Sequence, residues 1–79
     1  MTRGEFEAAA RAADVLQNTS DIVAAEFWIG YLRGLRRHFH GEHFGRARGI
    51  GYRCGVAGTP IAEAMAEARR LRDPVRRAP

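Results

Sequence analysis

Three things are scarce in this sequence: lysine, cysteine and long apolar segments. All 13 Lys+Arg residues are arginine. Cys54 is the only cysteine, so no disulfide can form within one chain, and we expect a free structural thiol in a reducing cytoplasm. No run approaches the roughly 20 apolar residues that span a bilayer, because Glu26 and Arg33 interrupt the most hydrophobic stretch. We therefore expect a soluble, cytoplasmic protein with no membrane partner.

The chain is also short. Its 79 residues allow one domain, and a domain of this size buries only roughly 60% of its unfolded surface. We expect a single helical domain over residues 1–73 and a short basic tail over residues 74–79, since Asp73-Pro74 stops the last helical pattern. So thin a core usually gains support from a metal or a partner, and it is consistent with a homodimer.

Positive charge is concentrated from the middle of the chain onward. The formal net charge is +4, and residues 1–32 carry two arginines against five acids. Residues 33–56 carry six arginines against Glu42 alone, and residues 57–79 carry five arginines against three acids. This distribution favours an anionic partner. The alternative is that arginine merely supplies the charge of a solvated surface.

Local patterns predict three helices directly. Thr2-Arg3-Gly4-Glu5 is a capping box, and alanines follow it at helical spacing. A second helix is expected from Ile22 to Phe39, after a turn that ends at Asp21, with Gly41 as its left-handed terminating residue. Apolar residues surround most of this helix, which therefore should be central. Thr59-Pro60 begins another helix, because threonine can cap and proline fits the first helical position.

Residues 46–57 are ambiguous between helix and strand. Their apolar residues alternate, which is typical of a strand, but they also fit one helical face. The segments Gly30–Leu35 and Gly51–Val56 share the pattern G-Y-x-x-G followed by an aliphatic residue. If the first copy is helical, the second should be too, as a helix weakened by its glycines, and Gly30 and Gly34 of the first copy should allow another backbone to approach closely. We predict an all-α fold, a compact bundle of three to four short helices.

Metal binding and catalysis are poorly supported. His38, His40 and His43, with Glu42 and Cys54, offer zinc-ligand types, but their spacing matches no familiar zinc motif. The histidines fit a polar loop better, and we predict no metal and no cofactor. No glycine-rich phosphate loop with its lysine is present, and so small a domain leaves little room for a closed pocket. We therefore predict that the chain is not an enzyme.

Arginine interleaved with aromatic residues is the one feature that resembles a binding surface. Guanidinium groups can hold phosphates or carboxylates with two hydrogen bonds each, and neighbouring aromatic rings are typical of interface hot spots and of single-strand binders. Trp28 and Phe39 are assigned to the core instead. The predicted partner-binding residues are Arg33, Arg36, Arg37, His38, His40, Arg46, Arg48, Arg53, Tyr31 and Phe44.

Residues 28–45 read W-x-G-Y-x-R-G-L-R-R-x-x-H-G-E-x-F-G. This string resembles small accessory proteins of phages and prophages in GC-rich proteobacteria, a group that includes anti-CRISPR inhibitors. The resemblance implies an interaction protein without catalytic motifs. Many such inhibitors are acidic and mimic DNA, whereas this chain is basic, which favours docking on an acidic protein surface or on the nucleic acid of a surveillance complex.

Two functions are therefore expected. The first is a phage-type inhibitor or modulator that binds a bacterial protein or ribonucleoprotein complex sterically, such as a CRISPR-Cas surveillance complex, through its arginines. The second is a module that binds DNA or RNA directly, with the same arginines on phosphates.

Overall fold

The structure is a computed structural model and describes residues 1–38 and 45–72. About 80% of this part of the chain is helical. Helix α1 spans Arg3–Leu16, α2 spans Ile22–Arg36, α3 spans Arg46–Ala57 and α4 spans Ile61–Arg72. The described residues contain no strand, so the predicted all-α bundle is confirmed. The ambiguous segment 46–57 is a helix, as the repeated glycine pattern indicated.

The first two helices begin where local side-chain chemistry places them. The Glu5 backbone N–H donates to Thr2 Oγ1 at 3.1 Å, and the Thr2 N–H donates to Glu5 Oε1 at 2.8 Å. This capping box supplies partners for backbone donors that have none within the helix, and its bonds also hold the pKa of the Glu5 carboxyl below its ordinary value. Helix α2 begins after Asp21, whose carboxylate accepts from the Ala24 N–H at 3.3 Å.

Helix α2 ends earlier than its periodicity predicts. Its last residue is Arg36, and Arg37 takes the left-handed conformation with φ 55°. The Arg37 N–H donates to the Gly34 carbonyl at 3.1 Å, and the His38 N–H donates to the Arg33 carbonyl at 3.0 Å. These bonds close the helix by satisfying its last carbonyls. A left-handed residue other than glycine costs roughly 1–2 kcal/mol, and the predicted terminator, Gly41, lies outside the described residues.

The core is built around α2. Phe27 and Tyr31 are fully buried and Trp28 nearly so, which confirms Trp28 as a core residue. The Trp28 ring meets the Phe27 ring edge-on at 4.8 Å between centroids, and the Tyr31 ring at 5.3 Å. Small residues of the flanking helices pack on this aromatic cluster and let α1 and α4 approach closely; they are Ala9, Ala10 and Ala13 of α1 and Ala64 and Ala68 of α4.

Helices α2 and α3 pack backbone against backbone at four glycines. A Cβ built on Gly30 would lie 2.0 Å from the Arg48 carbonyl oxygen, and one on Gly34 would lie 2.2 Å from the Tyr52 carbonyl oxygen. No real side chain tolerates such distances, so these positions require glycine. Gly30 faces Arg48, and Gly34, one turn further along α2, faces Tyr52, one turn further along α3. The two helices therefore run in the same direction.

The contact is reciprocal. A Cβ on Gly51 would lie 2.0 Å from the Phe27 carbonyl oxygen, and one on Gly55 would lie 2.1 Å from the Tyr31 carbonyl oxygen. Residues of α2 and their counterparts in α3 are 21 positions apart in the sequence, and the equivalent distances agree within about 0.2 Å. The two copies of G-Y-x-x-G thus form a pseudo-symmetric helix pair. Each carbonyl faces a glycine Cα–H, the geometry of weak Cα–H···O contacts.

The pseudo-symmetry extends to the helix ends. Helix α3 ends at Gly58, whose φ is 72°. The Gly58 N–H donates to the Gly55 carbonyl at 3.0 Å, and the Thr59 N–H donates to the Cys54 carbonyl at 2.9 Å. This is the termination seen at Arg37, 21 residues earlier. The two repeats therefore differ there in side chain but not in backbone conformation.

Candidate functional site

The four helices differ in their balance of charge. Helix α3 carries Arg46, Arg48 and Arg53 and no acidic residue, whereas α1 carries three acids against two arginines. Within α1 the Arg3 and Glu7 side chains pair at 3.4 Å, and within α4 Arg70 pairs with Glu67. Exposed arginines that pair with no described acid therefore include Arg46 and Arg53 of α3 and the arginines at the C-terminal end of α2.

Three predicted contact residues share one cleft at the end of α2. Arg33, Arg36 and His38 are exposed and line a depression of about 220 Å³ together with Gln17, Ile29 and Leu32. We call this depression the arginine cleft. Spacing explains the convergence, because Arg33 and Arg36 are three residues apart in the last turns of α2 and so lie on the same face.

None of the guanidinium groups at this end is neutralised by a described carboxylate. Where both side chains are described, the ion pairs are those of Arg3, Arg48 and Arg70. Arg33, Arg36 and Arg37 are all exposed and take part in none of them. Cations near a helix C-terminus do gain from the helix dipole, by typically 0.3–1 kcal/mol. That gain does not require a pair of arginines to converge on one cleft.

Arg37 opens onto a different depression. It lines a groove of about 330 Å³ with Met1, Phe6, Leu35 and residues 55–58, which are the last turn of α3 and the residue that follows it. This groove, which we call the terminal groove, shares no lining residue with the arginine cleft. The arginines at the end of α2 therefore present positive charge on two sides.

Two predicted contact residues have structural roles instead. Tyr31 is fully buried, and its O–H donates to the Thr59 carbonyl at 2.6 Å, so it belongs to the core and not to a binding surface. Burial also raises the pKa of its phenol above the ordinary value. Arg48 is already paired, because its Nε and Nη2 donate to the two carboxylate oxygens of Glu26 at 2.7 and 2.9 Å.

Arg46 and Arg53 remain exposed on α3, as a binding role would need. They lie outside the lining of the arginine cleft. His40 and Phe44, also predicted to contact a partner, lie outside the described residues, as do His43, Glu42 and the tail 74–79. Among the described residues, the structure thus brings Arg33, Arg36 and His38 together in one cleft, whereas Arg37 lines the separate terminal groove.

The described residues form no cluster that could bind a metal ion and contain no thiol with a lowered pKa. In that part of the chain no three His, Cys, Asp or Glu side chains lie close enough together to hold a metal ion. Cys54 is a free thiol, as predicted, and is half-buried. Burial raises its pKa, so it is less ionised, and less nucleophilic, than an exposed cysteine at neutral pH. No helix within residues 1–38 and 45–72 is long and apolar enough to cross a membrane.

Gln17 is the contributor that the sequence did not single out. It is the first residue after α1, and it lines the arginine cleft together with residues of α2 and the residue His38 that follows that helix. Its Nε2 donates one hydrogen bond to Asp14 Oδ1 at 3.0 Å, and an amide nitrogen carries a second N–H that can donate to an oxyanion. No local signal marks this role, because the contact joins residues from two helices.

Comparisons of the whole chain with protein-family models, with curated proteins and with solved structures gave no match.

Proposed function

We propose that this chain is a non-enzymatic interaction protein that binds an acidic surface of a larger partner through the C-terminal end of α2. The observation that carries the proposal is the convergence of Arg33, Arg36 and His38 on one cleft, without a carboxylate partner among the described residues. Two guanidinium groups that share a cleft repel each other, and an anionic group from a partner relieves that repulsion. Arginine forks suit carboxylates, which they bind with two parallel hydrogen bonds.

The mechanism is steric. The arginine cleft is small, open and lined by both polar and apolar side chains, which fits one acidic side chain from a partner better than a substrate to be transformed. Binding would cover the partner's surface and block whatever else docks there. The resemblance of residues 28–45 to phage accessory proteins makes a bacterial complex, such as a CRISPR-Cas surveillance complex in the host cytoplasm, the target that we propose.

Burial of Trp28 and Tyr31 removes two of the rings on which single-stranded nucleic acid could stack, and this favours an acidic protein surface. Single-strand binders stack bases on exposed rings, at about 1–3 kcal/mol per base. Trp28 and Tyr31 are only 3% and 0% exposed and cannot provide such a platform. Direct binding of duplex DNA or RNA is the second candidate, because it needs only phosphate contacts and α3 offers exposed Arg46 and Arg53.

The test compares two double variants with the same change in charge. R33A/R36A removes the pair in the arginine cleft, and R11A/R69A removes two exposed arginines of α1 and α4. Binding of fluorescent poly-L-glutamate, of single-stranded DNA and of duplex DNA would be followed by anisotropy at several salt concentrations. We expect R33A/R36A to weaken poly-L-glutamate binding about tenfold, from two exposed ion pairs of up to about 1 kcal/mol each. R11A/R69A should change it little.

Three outcomes decide between the candidates. Selective loss in R33A/R36A supports an acidic protein surface. Tight DNA binding with a steep salt dependence, and weak poly-L-glutamate binding, would favour the nucleic-acid module instead. Equal losses in the two double variants would mean that only net charge matters, and would remove the case for a site at the end of α2.

A further inference from the structure

Arg37 and Gly58 occupy equivalent positions in the two pseudo-symmetric repeats. Both end a helix in the left-handed conformation, with φ 55° and 72°, and both are followed by the same pair of backbone hydrogen bonds. Glycine adopts this conformation without steric cost, whereas arginine does not. The second repeat therefore has the residue that the backbone prefers, and the first has one that the backbone disfavours.

Nothing within the described structure explains the arginine at position 37. Its side chain is exposed, it forms no ion pair with a described carboxylate, and its backbone bonds are those that Gly58 makes equally well. A left-handed residue other than glycine that persists without a local structural reason is a candidate for function. Of the arginines that end α2, Arg37 is the one whose retention has an identifiable backbone cost.

We infer that Arg37 is a partner-contact residue, kept for its guanidinium group at the expense of fold stability. This inference rests on the proposed function and deepens it. Arg37 opens onto the terminal groove, whereas Arg33 and Arg36 line the arginine cleft, and the two depressions share no lining residue. A partner that engages both must present acidic groups on two sides of the α2 end. The surface thus fits an extended acidic protein face and not a single small anion.

The experiment pairs opposite changes at the two equivalent positions. R37G should raise the melting temperature by about 4 °C, because it removes the left-handed strain. G58A should lower it by a similar amount, since a Cβ at Gly58 would meet only Met1 Cβ at 3.9 Å and the cost is conformational alone. Despite its greater stability, R37G should bind poly-L-glutamate about fivefold more weakly. R37K keeps the charge and the strain, and should retain most of the affinity.

Each outcome bears on a separate step. A lower melting temperature for R37G would overturn the inference, because arginine would then be stabilising the fold. Unchanged affinity in R37G, together with the loss in R33A/R36A, would overturn the role of Arg37 and leave the proposed function standing. If R33A/R36A and R37G both bind poly-L-glutamate as the native chain does, the proposed function fails with it.

Discussion

The substitution of Gly34 by alanine tests the contact on which the whole helix pair depends. The added Cβ would lie 2.2 Å from the Tyr52 carbonyl oxygen, 2.8 Å from the Val56 backbone nitrogen and 3.0 Å from the Gly55 Cα. All three atoms belong to the backbone of α3, so no side-chain rotation can relieve the clash. The helices must move apart, by about 1 Å or more if the closest contact is to reach ordinary van der Waals distance.

That separation weakens the interface along its length. The four reciprocal Cα–H···O contacts, at about 0.5–1 kcal/mol each, would lengthen together, and overpacking of a tight contact costs typically 1–3 kcal/mol. Alanine offsets about 1 kcal/mol of this through its helix propensity. We expect a net loss of about 2–6 kcal/mol. A chain of 79 residues has a free energy of unfolding of only about 4–12 kcal/mol, so the variant should be severely destabilised.

Urea unfolding followed by circular dichroism measures the effect, and Gly4 provides the matched control. Gly4 lies within α1, is exposed, and a Cβ there would meet nothing within 4 Å. Gly4→Ala should therefore stabilise the fold by about 0.5–1 kcal/mol. Gly34→Leu should be at least as damaging as Gly34→Ala. A Gly34→Ala variant as stable as the native chain would refute the backbone contact between α2 and α3.

Two further predictions concern Tyr31 and alkaline pH. Tyr31→Phe should cost about 1 kcal/mol of unfolding free energy in urea titrations, because it removes the donor to the Thr59 carbonyl; an unchanged midpoint would mean that water replaces it. Burial raises the folded pKa of Tyr31 and of the Cys54 thiol, so the folded state favours their neutral forms. The contribution of these two groups to stability should be constant below about pH 8.5 and should fall as the pH rises through about 10 and above, where the unfolded chain ionises first. The fall should be smaller in Tyr31→Phe, and a urea midpoint that rises in this range would contradict the burial of both groups.

Local chemistry explains why the first helix could be located from the sequence. The capping box joins Thr2 and Glu5, which are only three residues apart in the sequence, and it forms as predicted. The repeated G-Y-x-x-G pattern correctly indicated that residues 46–57 are helical and that glycine marks a close approach. It could not indicate that the two copies pack against each other, because spacing along the chain carries no information about which helix a glycine meets.

The binding surface could be predicted only in part for the same reason. Net charge and arginine spacing pointed to the end of α2, and Arg33, Arg36 and His38 do line one cleft. The structural roles of Tyr31 and Arg48 could not be predicted, because their partners, the Thr59 carbonyl and the Glu26 carboxylate, are distant in sequence. An aromatic ring or a guanidinium group looks the same in a sequence whether it is buried, paired or free.

The sequence by itself determined which segments are helical and which of them carry the positive charge, since helix capping, hydrophobic periodicity and charge are properties of neighbouring residues. Tertiary structure alone decided that α2 stops at a left-handed arginine, that the glycine repeats pack against each other, and that two arginines and a histidine at one helix end share a cleft. These features depend on contacts between residues far apart in the chain, where shape and distance select the arrangement and local preference does not.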